Sequence, residues 1–75
     1  MKKLLLNNPS LNVIKEKLSN DLPEEIEITF NNKVDNGIEF VIMDYLINSA
    51  GYSIEEVKPI DDSKTMYIVY FKRKS

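Results

Sequence analysis

The 75-residue sequence contains no cysteine and no histidine. Without cysteine there is no disulfide, no zinc–thiolate site, no thiol nucleophile and no persulfide chemistry. Without histidine the chain lacks the side chain most used as a general base near neutral pH, and the commonest transition-metal ligand. Together the two absences predict a protein that is not an enzyme, with no catalytic residue, no metal and no cofactor. No apolar run approaches the roughly 18 residues that span a bilayer. The start Met1-Lys2-Lys3-Leu4 has no long apolar core of the secretory type. The expectation is a cytoplasmic protein that does not enter a membrane. A net charge of −2 supplies no overall basic field for nucleic acid. Repeats and low-complexity tracts are absent as well.

What is present is a globular composition, with 43% hydrophobic and 29% charged residues. The length fits a single domain, 1-75, near the lower limit for one unstapled core. The stretch Leu4-Leu5-Leu6-Asn7-Asn8-Pro9-Ser10-Leu11 reads as a strand turning directly into a helix. In that reading Asn8 is the N-cap and Pro9 the first helical residue, where its missing N–H has no intrahelical use. The N–H groups of the first turn would then favour an anion or a carbonyl oxygen.

A first strand is expected over Lys2 to Leu6 and a helix over Pro9 to about Asn20, with Leu11, Ile14, Leu18 and then Leu22 forming one apolar stripe. Asp21-Leu22-Pro23 ends the helix, since the residue before proline disfavours helical geometry. Glu25 to Asn31 alternates polar and apolar throughout, which places Ile26, Ile28 and Phe30 on the core face of a second strand. After a polar loop, Asn36 and Glu39 have capping-box spacing. A second helix follows over about Gly37 to Ala50, and Gly51 suits the left-handed position after its last turn. Projection at about 100° per residue puts Phe40, Met43, Leu46, Ile47 and Ala50 on its core face, with Ile42 at the margin. Ile38, Val41 and Tyr45 fall on the far side. Two further strands, Tyr52 to about Lys58 and Thr65 to about Lys72, flank a turn from Pro59 to Lys64. The last strand is apolar on both faces and is expected to be central, while Pro59 suits an edge.

The order is therefore β-α-β-α-β-β. It implies an α+β fold, a two-layer sandwich in which a mixed four-stranded sheet carries two helices on one face.

In this element order and length the chain resembles the TusA/SirA/YedF group of small sulfur-carrier proteins. The resemblance rests on Asn8-Pro9-Ser10-Leu11, on Ile26-Glu27-Ile28 leading into the Asn31 to Asn36 loop, on Leu46 to Tyr52, and on the closing Lys72-Arg73-Lys74. It implies a last strand lying between the second and third. In that family a Cys-Pro-x-Pro motif opens the first helix and its cysteine carries a persulfide sulfur. Here asparagine stands in the cysteine position and the second proline is gone, so the resemblance implies the scaffold without its chemistry, by divergence or by engineering.

Three surfaces are candidates. Asn7, Asn8, Pro9 and Ser10 form a turn that either docks a partner or only caps a helix. Ile38, Val41 and Tyr45, at i, i+3 and i+7, form an apolar strip suited to a protein partner. Lys2, Lys3, Lys72, Arg73 and Lys74 gather near one end of the sheet and suit phosphate. That alternative makes the chain a small nucleic-acid or ribosome-associated domain, and the same layout occurs in the C-terminal domain of translation initiation factor three. A small inhibitory or adaptor protein that reached this fold independently is a third possibility. The acidic residues Glu24, Glu25, Glu27, Glu55, Glu56, Asp61 and Asp62 show no metal-loop spacing and read as solvated faces and turns. Tyr67, Tyr70 and Phe71 read as packing. The expectation is a non-catalytic binding or regulatory module of TusA-like type.

Overall fold

The computed structural model describes residues 2–31, 37–60 and 65–74. The Asn36 half of the expected capping box, and Asp61 to Lys64 of the turn before the last strand, lie outside the described residues. The elements are β1 (Lys3–Asn7), α1 (Leu11–Asn20), β2 (Glu25–Asn31), α2 (Ile38–Asp44, continued by a π-helical turn, Tyr45–Ser49), β3 (Tyr52–Pro59) and β4 (Met66–Arg73). The sheet order is β1-β2-β4-β3, with β1 parallel to β2 and the other neighbours antiparallel. The α+β reading holds, and β4 is central.

Each helix returns the chain across the sheet and buries one stripe. Ile14 and Leu18 of α1 and Ile42 and Leu46 of α2 meet Ile26, Ile28 and Phe30 of β2, Val69 and Phe71 of β4, and Tyr52 of β3. The alternation of β2 is realised without a slip, because a one-residue shift would move every isoleucine to the opposite face. Phe30 and Tyr67 stack at a tilt, with ring centroids 5.6 Å apart. Gly51 has φ +84°, the left-handed conformation that glycine adopts at no steric cost.

Three expectations need correction. The N-cap of α1 is Ser10, whose Oγ accepts the Val13 N–H at 3.2 Å. Helix α1 begins at Leu11, so Pro9 lies outside it and Asn8 does not cap it. The core face of α2 is centred on Glu39, Ile42 and Leu46, whereas Phe40 is 69% exposed. Tyr45 is not on the far side but packs against the core. The displaced face has two causes. A buried glutamate occupies a core position, and the π turn, in which the Ala50 N–H bonds Tyr45 O at 2.9 Å, slips the 3.6-residue phase.

Tyr52 is fully buried, and its hydroxyl donates to the carbonyl of Pro23, tying the start of β3 to the end of the α1–β2 connection. Burial pushes its phenol above the ordinary value, and the Arg73 charge partly offsets this. A tyrosine with a raised folded-state pKa contributes stability that is complete below the unfolded value of about 10 and is lost as pH rises through the folded value. Tyr52→Phe is therefore expected to cost about 1 to 2 kcal/mol at neutral pH by leaving the Pro23 carbonyl without this donor. Its urea midpoint should also fall less steeply above pH 10 than that of the wild type. Parallel alkaline limbs would show that Tyr52 does not carry the effect.

Candidate functional site

Both helices start at the same end of the sheet, because each follows the C-terminal end of one of the two parallel strands, β1 or β2. Two of the three candidate surfaces lie at that end. Asn8 has φ +47°, a left-handed conformation that asparagine tolerates better than most residues. Its N–H donates to Thr29 O at 2.8 Å, and its Oδ1 accepts the Asn31 N–H at 2.9 Å. Its Nδ2 donates to Asn7 Oδ1 at 3.2 Å. The side chain thus extends the β1–β2 ladder by one step. Asn7, Asn8 and Ser10 are exposed and Pro9 is half-buried.

At the same end α2 begins, with Gly37 as its N-cap in the left-handed conformation. Ile38 and Val41 are 39% and 48% exposed. Tyr45 is half-buried, and Lys15 Nζ of α1 sits 5.5 Å above its ring centroid, a cation–π contact that bridges the helices. The expected strip is therefore shortened to Ile38 and Val41, with Tyr45 below them under Lys15. Phe40 adds a large apolar side chain that projection at 100° assigned to the core.

Lys2, Lys3, Lys72, Arg73 and Lys74 do share one end of the sheet, since Lys3 lies beside Glu25 and Glu25 beside Lys72. Carboxylates are interleaved with them. Lys2 pairs with Asp21, and Lys3 Nζ lies 2.6 Å from Glu27 Oε1. The Lys3 ammonium pKa is raised chiefly by that hydrogen bond. Arg73 Nη1 donates to Leu22 O at 3.1 Å. The local field is correspondingly weaker than five positive charges suggest.

Glu39 is the core residue that sequence reasoning missed. It is 4% exposed, the one buried charged side chain among the described residues, and its Oε2 accepts the Tyr67 hydroxyl at 3.0 Å. Its spacing from Asn36 suggested a cap. The available signal was Glu39-x-x-Ile42-x-x-x-Leu46, an i, i+3, i+7 series that reads as a core stripe once glutamate is admitted to it. Among the described residues no group of carboxylates could hold a metal ion. No described helix is long and apolar enough to cross a membrane.

Comparison with known proteins finds no matching family model, no similar curated protein and no similar solved structure.

Proposed function

We propose that this chain is a non-catalytic, cytoplasmic binding or regulatory module of TusA-like type, which recognises a protein partner through the outer side of α2 and the neighbouring Asn8 turn. The observation that carries this reading is the exposure of Ile38, Phe40 and Val41 on a helix whose other face closes the core. Three large apolar side chains within one turn of helix are more than solvation of a surface helix needs. The strand order β1-β2-β4-β3 supports the TusA-like scaffold. The missing thiol separates the module from sulfur transfer.

The test is affinity capture by the wild type, Val41→Lys and Asn8→Ala from the native cell, at low and high salt. Val41→Lys is expected to keep its stability within about 0.5 kcal/mol, as a surface change does. It should lose proteins that the wild type retains at both salt concentrations. Retention of the same proteins by Val41→Lys would sink the proposal. Recovery of RNA that disappears at high salt would move the function to the basic end of the sheet, as in a nucleic-acid or ribosome-associated domain.

A further inference from the structure

Strand β3 is an edge of the sheet, and every residue from Ile54 to Pro59 is exposed. Two features blunt this edge: a bulge between Ile54 and Glu56, and Pro59, which has no N–H to offer. Between them Glu56-Val57-Lys58 is regular, pairing in step with Tyr70, Val69 and Ile68.

Val57 lies opposite the buried Val69 and so projects on the helix-bearing face, yet it is 55% exposed. Glu56 and Lys58 project on the open face, by alternation. Among the described residues neither is in an ion pair. Phe40 belongs to the same neighbourhood. Glu39, one residue before it, reaches Tyr67, and Tyr67 pairs with Pro59, which sets Phe40 level with the end of β3. Tyr45 marks the flank of α2 that faces α1, and helical geometry puts Phe40 on the opposite flank, toward β3.

The segment is complementary to itself. Antiparallel pairing about a two-fold axis through Val57 sets Val57 against Val57 of the other copy and each Glu56 opposite a Lys58. Moving the axis to Glu56 would oppose two glutamates, and moving it to Lys58 would oppose two lysines. The backbone agrees with the first register. The Ile60 N–H bonds Met66 O at 3.1 Å. Antiparallel alternation from that pair turns the backbone groups of Lys58 toward β4 and those of Val57 outward.

We infer that β3 pairs with β3 of a second copy of this chain, antiparallel and centred on Val57, to make one continuous sheet of eight strands, four from each copy. The helices of both copies then lie on one face, and Val57 and Phe40 of each line the seam. The bulge and Pro59 end the ladder on either side, which fixes the register. This inference rests on the β3 edge and shares only Phe40 with the proposed partner surface; Glu56, Val57 and Lys58 lie outside that surface, so the two readings fail separately.

Sedimentation equilibrium of the full chain from micromolar to near-millimolar concentration tests it. The wild type is expected to dimerise. Glu56→Lys and Lys58→Glu, which shift the net charge in opposite directions, should each weaken association roughly tenfold to a hundredfold by opposing like charges twice. The double variant Glu56→Lys/Lys58→Glu should restore wild-type association, with circular dichroism unchanged throughout. A monomer across the whole range would overturn the inference. So would a dimer indifferent to Glu56→Lys, or a double variant no stronger than the singles.

Discussion

Phe71→Ala is expected to lose about 3 to 5 kcal/mol at 25 °C, a large share of the stability of so short a chain, while Phe40→Ala remains within about 0.5 kcal/mol of the wild type. Phe71 is 2% exposed and lies between Ile26 and Ile54 in the sheet, so its truncation removes ring contacts and leaves a cavity in the core. Such truncations cost about 3 to 5 kcal/mol. At roughly 0.05 to 0.15 kcal/mol per residue, a chain of this length has only about 4 to 11 kcal/mol in total. Phe40, by contrast, is mostly in water and forfeits little. Urea denaturation followed by circular dichroism compares the two directly. Equal losses for both phenylalanines would mean that the face of α2 has been assigned wrongly.

The second large effect is expected at Asn8. Alanine there must hold a left-handed backbone, at about 1 to 2 kcal/mol for an L-residue with a Cβ. It also loses the acceptor for the Asn31 N–H, worth about 1 kcal/mol. Asn8→Ala should therefore cost about 2 to 3 kcal/mol. Asn8→Gly keeps the backbone conformation but not the hydrogen bond, and should cost about half as much. The predicted order of urea midpoints is wild type, then Asn8→Gly, then Asn8→Ala. An alanine variant at least as stable as the glycine variant would show that backbone strain at this turn is negligible. The comparison also bears on function, since loss of partner capture in Asn8→Ala has meaning only beside Asn8→Gly.

The strands were more legible than the helix faces. Glu25 to Asn31 could be read residue by residue because β2 buries one face and leaves the other partly open, so period-2 alternation survives in the sequence. Met66 to Phe71 declared a central strand by being apolar on both faces, and it lies between β2 and β3. In α2 the phase is broken by the π turn at Tyr45–Ser49, and the core position of Glu39 is polar. A projection that assumes 3.6 residues per turn and apolar core residues then rotates the helix the wrong way. At the first turn Asn8 and Ser10 are both good capping residues, two positions apart. The hydrogen bonds of Asn8 to Thr29 O and from the Asn31 N–H, partners distant in sequence, assign it to the strand ladder and leave the cap to Ser10.

The candidate surfaces divide in the same way. That five basic residues share one end of the sheet followed from strand direction alone, yet the pairing of two of them, Lys2 with Asp21 and Lys3 with Glu27, required the folded chain. Exposure at Ile38 and Val41 was readable from helix phase near the start of α2, before the π turn intervenes. Phe40 and Tyr45 exchanged roles, because contact with α1 through Lys15 covers the tyrosine.

By itself the sequence determined the element order, the alternation of β2, the central place of β4 and the absence of thiol and imidazole chemistry. All of these depend on local periodicity or on composition. The tertiary structure alone decided which side of α2 is covered, what Asn8 bonds and which charges remain unpaired. Each of those is set by a residue distant in sequence, through hydrogen bonds and packing that local pattern does not encode.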